Sequence, residues 1–192
     1  MAWGKAGSTT LTTAGTTVTT PTMTPSELNV TLGHTYGTGN VNTRLRVGVD
    51  SIDTGNSYSN RYADNGGSDD TSETTANVIR VSSRDYDELN VVYGCNIAGQ
   101  EKLFYGFTVN QENTGATSPT RTAFSAKWVT TAGQYKLIQW LNSSADFPIG
   151  SNMTALGNER EVGAVKVQDG AVFYETDTNK SYVLYSGSWS EL

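Results

Sequence analysis

The sequence predicts an all-β protein, built as an antiparallel sandwich or barrel. The first observation is composition: 36% of the 192 residues are hydrophobic, only 17% are charged, and 20 are glycine. Thr, Val and Tyr are frequent while helix-forming residues are sparse, which is typical of strands and turns. The second is that short segments alternate apolar and polar residues, with Gly, Asn and Asp between them. A chain of this length can bury the core of one domain.

Eight segments carry this alternation or a short apolar run and are predicted as strands. They are residues 27–32, 44–49, 77–81, 88–97, 102–109, 122–129, 135–141 and 153–157. Because successive side chains of a strand point to opposite faces, we expect the apolar set of each strand to pack inward. The side chains expected in the core are Leu28, Val30, Leu32, Leu45, Val47, Val49, Leu89, Val91, Tyr93, Cys95, Ile97, Leu103, Tyr105, Phe107 and Val109.

The two ends differ in character from this central part. Residues 1–25 are rich in Thr, which predicts either a flexible arm with a first edge strand or an arm that orders against a neighbouring subunit. Residues 26–157 form the predicted sandwich domain. Residues 158–192 begin with a linker-like stretch and continue as a small β-meander, with Asp169-Gly170 as a hairpin signal. A meander of this size is marginal alone and must pack on something.

Charge and cysteine content exclude several classes of protein. The net charge is −6 and the sequence pI is about 4.7, with no basic run, so we expect neither a nucleic-acid partner nor an anionic membrane surface. Cys95 is the single cysteine, with apolar neighbours, and is expected to be a small buried side chain. The beginning of the chain lacks the apolar run of a signal peptide, and no window approaches a membrane span. We therefore expect the protein to fold in a cytoplasm without disulfides.

The residue types offer little for catalysis or metal binding. His34 is the only histidine, so a histidine-based triad or a zinc site has too few residues to draw on. Asp64, Asp69 and Asp70 could supply oxygen ligands for calcium, but their spacing does not match a helix-loop-helix site and such runs are usually solvated turns. No cofactor is expected. A glycoside hydrolase would need two facing carboxylates, which the sequence cannot reveal, and the chain is predicted not to be an enzyme.

Aromatic residues raise a binding hypothesis. Tyr58 and Tyr62 lie in sequence typical of a loop and are the candidates for contact with a glycan or receptor. Trp128 and Trp140 are expected as core anchors between two sheets. Trp3 and Trp189, near the two ends, are candidate assembly contacts.

A series of motifs in fixed order spans residues 8–157. In chain order they are Asp50, Gly55-Asn56-Ser57-Tyr58-Ser59, Ile97-Ala98-Gly99-Gln100-Glu101-Lys102-Leu103, Gln111-Glu112-Asn113-Thr114-Gly115-Ala116, Pro119-Thr120-Arg121, Lys127-Trp128, Asp146-Phe147, Gly150-Ser151 and Ala155-Leu156-Gly157. Together they resemble a family of jelly-roll-like virion proteins from tailed viruses of marine bacteria and archaea. Residues 170–183 with Gly187-Ser188-Trp189 are similar to a module of phage fibre and tail proteins.

The resemblance implies an antiparallel jelly-roll-type β-sandwich with an N-terminal arm and a C-terminal meander. It also implies a non-enzymatic virion structural protein, a decoration, spike or fibre component of the capsid or tail surface. Its partners would be further copies of itself, with a trimer as our first expectation, and other virion proteins. The alternative is a receptor- or glycan-binding module on the same fold. In both cases residues 50–75 and 110–120 are the expected recognition loops.

Overall fold

The chain is all-β and its sheets are antiparallel, which confirms the predicted fold class. The computed structural model describes residues 3–36, 42–65, 71–82, 87–111, 115–116, 118–158, 170–186 and 188–192, and these include strands but no helix. The strands of this part of the chain are β1 (Trp3–Thr10), β2 (Thr17–Thr19), β3 (Leu28–Thr35), β4 (Thr43–Gly48), β5 (Tyr58–Asp64), β6 (Thr71–Ala76), β7 (Ile79–Arg80), β8 (Glu88–Cys95), β9 (Lys102–Asn110), β10 (Thr120–Trp128), β11 (Leu137–Asn142), β12 (Asn152–Asn158), β13 (Val172–Glu175), β14 (Lys180–Tyr185) and β15 (Ser188–Glu191).

Twelve of these strands form the two sheets of a sandwich. The larger sheet has the order β1-β12-β3-β8-β9-β10-β5-β6, and the smaller has the order β2-β11-β4-β7. The hairpin between β8 and β9 turns at Gly99, whose φ of +75° favours glycine. The jelly-roll connectivity stays a prediction.

The core lies between the two sheets. Trp128 and Trp140 are both fully buried there, which confirms them as core anchors. The indole Nε1 of Trp128 donates to Asp53 Oδ2 at 2.7 Å, so its polar atom is satisfied within the fold. On β4, Leu45 and Val47 face inward as predicted.

In three central strands of the larger sheet, the side chains predicted to face the core face outward instead. On β3, β8 and β9 the predicted apolar set faces outward, and the alternate set, mostly polar and glycine residues with Val92 and Phe104, faces the core. The prediction that Leu28, Leu89, Tyr93, Leu103 and Tyr105 pack inward is therefore wrong.

Glycines on the inward set explain this orientation. A Cβ at Gly33 would lie 2.6 Å from Trp140 Nε1, and one at Gly94 would lie 2.3 Å from Tyr135 Oη. These glycines leave room for large rings that the smaller sheet and its flanking segment project into the core. The larger sheet adds its own apolar side chains to this core, among them Phe104, Phe124 and Trp128.

The N-terminal segment belongs to the sandwich. Residues 3–10 form β1, an edge strand of the larger sheet, and residues 17–19 form β2, an edge strand of the smaller one. The chain divides into two compact units, Met1–Glu159 and Arg160–Leu192.

The second unit is a three-stranded meander, β13-β14-β15, in the described part of its chain. Its aromatic side chains contact each other: Phe173 stacks on Tyr182 with ring centroids 5.6 Å apart and meets Trp189 edge-on at 5.6 Å. Phe173 and Trp189 remain exposed. The proposed role of Trp189 as an assembly contact stays a prediction.

Candidate interaction surface

The outward side of the larger sheet carries a continuous apolar surface over its central strands. The register pairs Val30 with Tyr93 and Tyr93 with Tyr105, so side chains of β3, β8 and β9 stand in rows across the sheet. We call this surface the outer apolar face. Its members are Leu28, Val30, Leu32, Leu89, Val91, Tyr93, Cys95, Leu103, Tyr105, Phe107 and Val109.

Several of these side chains are strongly exposed. The exposed fractions are 52% for Leu89, 56% for Leu103 and 58% for Tyr105. Monomeric proteins scatter such residues singly, whereas a contiguous apolar patch marks a site of interaction. Among the described residues, the outer apolar face is therefore the best candidate for an interaction surface.

The border of the face on the β10 side is polar and carries positive charge. On the β10 side, register places Arg121 beside Val109 and Lys127 beside Leu103, and Arg61 of β5 follows beyond them. Lys127 pairs with Glu101 at 2.8 Å. The outward positions of the described strands β3, β5, β8, β9, β10 and β12 carry no acidic side chain. An apolar centre with a polar rim is the anatomy of a protein–protein interface.

A groove of about 340 Å³ opens at one end of the face. Trp3, Leu28, Tyr93, Leu103 and Tyr105 line it, together with Cys95. Trp3 is 46% exposed. The sequence proposed Trp3 as an assembly contact, and the side chain does border this groove, although contact with another subunit stays a prediction.

Tyr58 and Tyr62 do not lie in a loop, and that prediction is wrong. Both belong to β5, where they are 1% and 7% exposed. The Tyr58 hydroxyl lies 3.0 Å from the carbonyl oxygens of both Val47 and Asp53, either of which can accept its hydrogen bond. The guanidinium of Arg80 covers the Tyr62 ring at 3.9 Å from its centroid. Neither ring can stack on an external sugar in this fold.

The predicted recognition loops are partly strands as well. Within residues 50–75, β5 and most of β6 pair as an antiparallel hairpin at one edge of the larger sheet. Residues 66–70, 112–114 and 117 lie outside the described part of the chain.

Of the three candidate calcium ligands, Asp64 alone lies in the described part of the chain. Asp64, at the end of β5, accepts a hydrogen bond from Thr122 Oγ1 at 2.6 Å, while Asp69 and Asp70 lie outside the described residues. Where the structure is described, no group of three or more His, Cys, Asp or Glu side chains could hold a metal ion. Calcium binding stays a prediction.

His34 and Cys95 both occupy outward positions beside or within the apolar face. The His34 ring lies 4.2 Å from the Tyr36 ring, by centroids. Cys95 is a half-buried free thiol, next to Leu28 and Leu103 in register.

A second feature, missed by sequence reasoning, is a buried polar cluster around Glu88. Glu88 begins β8 and points into the sandwich, where it is fully shielded from solvent. Its Oε2 accepts hydrogen bonds from Thr43 Oγ1 at 2.6 Å and Thr35 Oγ1 at 3.2 Å. Asn90 Nδ2 lies 3.5 Å from the same oxygen, and Thr108 Oγ1 donates to Asn90 Oδ1 at 2.7 Å. The sequence does carry a signal for this cluster: polar residues occupy every second position in 88–90 and in 108–110.

Burial raises the pKa of Glu88 to about 7, although the hydrogen bonds from Ser82, Thr43, Asn90 and Thr35 act to lower it. Glu88 therefore titrates near neutral pH in the folded protein. Its protonated form is favoured because an ionised carboxylate in this position would lack water.

No family model matches this chain, and neither the curated proteins nor the solved structures include one similar to it. In the described residues, no helix has the length and apolarity needed to cross a membrane. What the protein does must be inferred from its own residues.

Proposed function

We propose that this chain is a non-enzymatic structural protein of a tailed virus, repeated by symmetry on the capsid or tail surface. The motif order of residues 8–157, which resembles a family of virion proteins, supports the viral setting. The outer apolar face supports assembly as the mechanism, because its exposed apolar centre and polar rim suit a packed subunit contact.

The outer apolar face is the observation that carries the proposal. Covering Leu103 and Tyr105 with another protein would remove two large, mostly exposed side chains from water. Burial of this kind contributes about 25 cal/mol for each Å² of apolar surface. An assembly role explains why these side chains are apolar and exposed. Catalysis in a pocket would not require them.

Particles of the source virus test the proposal. We expect the chain to co-purify with intact particles through a density gradient, at a fixed copy number relative to the major capsid protein. Quantitative mass spectrometry would measure this number, and an abundant protein of the host lysate would control for carry-over. A chain that stays in the lysate fraction and is absent from particles would refute the virion role.

The second candidate function is glycan binding. Its candidate contact residues are no longer Tyr58 and Tyr62, which are buried, but aromatic residues of the second unit. Phe173, Tyr182 and Trp189 form an exposed ring cluster, and Lys180 pairs with Glu191 at 2.8 Å on the neighbouring strands. Exposed rings beside polar side chains are what sugar rings stack on.

Glycan binding by this cluster predicts that Trp189→Ala lowers binding on a glycan array while Tyr185→Ala does not. Tyr185 is the matched control because it is a 75% exposed aromatic outside the ring cluster. Equal binding by both variants, or no binding by the full chain, would remove this candidate.

A further inference from the structure

We infer that the occupant of the outer apolar face is a second copy of this chain, stacked face to face about a twofold axis. This inference rests on the proposed structural role, in which copies of the chain are the partner present at the highest local concentration. Such a contact is isologous, because the same surface of both copies takes part: if residue i of one copy contacts residue j of the other, residue j of the first contacts residue i of the second.

The size of the face fits a stable pairing. Five adjacent strands, β12, β3, β8, β9 and β10, present about 24 Å by about 27 Å of sheet at the usual strand spacing and rise, on the order of 650 Å² before side-chain relief is added. Stable complexes bury about 600–1,000 Å² per partner, so the apolar centre and its rim together lie at the lower end of the required range.

A twofold axis parallel to the strands separates the charged side chains of β10 in the two copies, and the like charges that it does oppose are those of Arg61 on β5 and Lys5 on β1, at the two margins of the contact. A twofold axis parallel to the strands and above β8 lays β9 of one copy over β3 of the other, and β10 over β12. Arg121 and Lys127 of β10 then lie over β12, whose outward residues Thr154 and Leu156 are uncharged. An axis across the strands would instead place β10 over β10 and oppose like charges.

The groove at the end of the face provides space for side chains of the second copy. Leu103 and Tyr105 border the groove, and both stand more than half exposed. Two sheets packed through such rows interdigitate their side chains at about 10 Å separation, as the layers of a sandwich do. Leu103 and Tyr105 are therefore expected to lie within the contact.

Light scattering during size-exclusion chromatography tests the pairing on the full chain. At about 100 μM, where a Kd of about 10 μM would leave most chains paired, we expect a mass twice the 20.6 kDa of one chain. Leu103→Glu and Tyr105→Glu should each weaken association at least about 100-fold, because a charge would be buried without a partner. Gln139→Glu adds the same charge to β11 of the opposite sheet and should leave association unchanged.

Labelling of the Cys95 thiol is an independent test of the pairing that needs no substitution on the outer apolar face. Its thiol lies beside Leu103 in register, so the rate of maleimide labelling should fall as the protein concentration rises. In Leu103→Glu this dependence should disappear, while unchanged thermal unfolding and circular dichroism would show that the variant is folded.

A wild-type chain that is monomeric at that concentration would overturn the inference. So would a trimer, or a dimer that both face variants leave intact. These outcomes leave the virion role standing if the chain is found in particles. Conversely, a face-paired dimer that is absent from particles would refute the virion role alone.

Discussion

Gly33→Val is expected to lower the free energy of unfolding by about 3 kcal/mol or more, at the upper end of what overpacking costs in a filled core. A Cβ at Gly33 would lie 2.6 Å from Trp140 Nε1, 3.1 Å from Cε2 and 3.3 Å from Cζ2. Trp140 is fully buried in the core, so its rigid ring must move to admit the added carbons. Urea unfolding followed by tryptophan fluorescence would measure both the lost stability and the displaced indole.

Gly15→Val is the matched control for this substitution. A Cβ at Gly15 would meet nothing within 4 Å, and its φ lies outside the positive region where side chains are strained. The control should change stability by less than about 0.5 kcal/mol, as surface substitutions usually do. Equal effects at the two positions would mean that Gly33 does not hold space for Trp140.

The positions of the strands followed from their alternation, but the direction in which they face did not. Period-two patterning is symmetric: it separates the side chains of β3, β8 and β9 into two sets without saying which set meets the core. We assigned the apolar set inward because most sheets have one dry face. Here Gly33 and Gly94 mark the dry face, since the rings of Trp140 and Tyr135 come from outside the larger sheet.

The candidate site could be predicted in part for the same reason. The residues of the outer apolar face all belong to the set that the sequence predicts as core, together with Leu45 and Val47, which do face inward; alternation alone did not separate the two groups. Tyr58 and Tyr62 were misplaced because Ser, Asn, Arg and Asp surround them. In β5 those polar residues occupy outward positions or join hydrogen bonds, while the two rings enter the core.

The two faces of the larger sheet carry opposite kinds of chemistry. Its inner side buries Glu88, Asn90 and Thr108 in one hydrogen-bonded cluster, and its outer side presents Leu89, Val91 and Val109 on the same strands, with Leu89 the most exposed of the three. A buried polar network restricts strand register, because a slip of one residue would exchange the two faces. Within this network Glu88 Oε2 accepts hydrogen bonds, whereas Glu88 Oε1 is buried without a partner. The polar interior therefore keeps the apolar residues on the surface where a partner can reach them.

Glu88 is expected to make the protein about 2 kcal/mol more stable at pH 5.5 than at pH 8. Its folded-state pKa, about 7, lies above the value of 4.5 for an unperturbed glutamate, so the native state binds an additional proton between these values. The stabilisation is complete below pH 4.5 and is lost as the pH rises through 7. Urea unfolding at a series of pH values between 5.5 and 8 would measure the slope.

Glu88→Gln keeps the shape of the protonated side chain and should flatten this dependence, because the amide has no proton to release. Glu101→Gln is the matched control: Glu101 is a surface carboxylate paired with Lys127, and its loss should leave the slope in place. A wild-type protein that gains stability from pH 5.5 to pH 8, or a slope that survives Glu88→Gln, would contradict the assignment. In either case the carboxylate of Glu88 would have to be charged in the folded sandwich, with the Thr43 and Thr35 hydroxyls compensating for its burial.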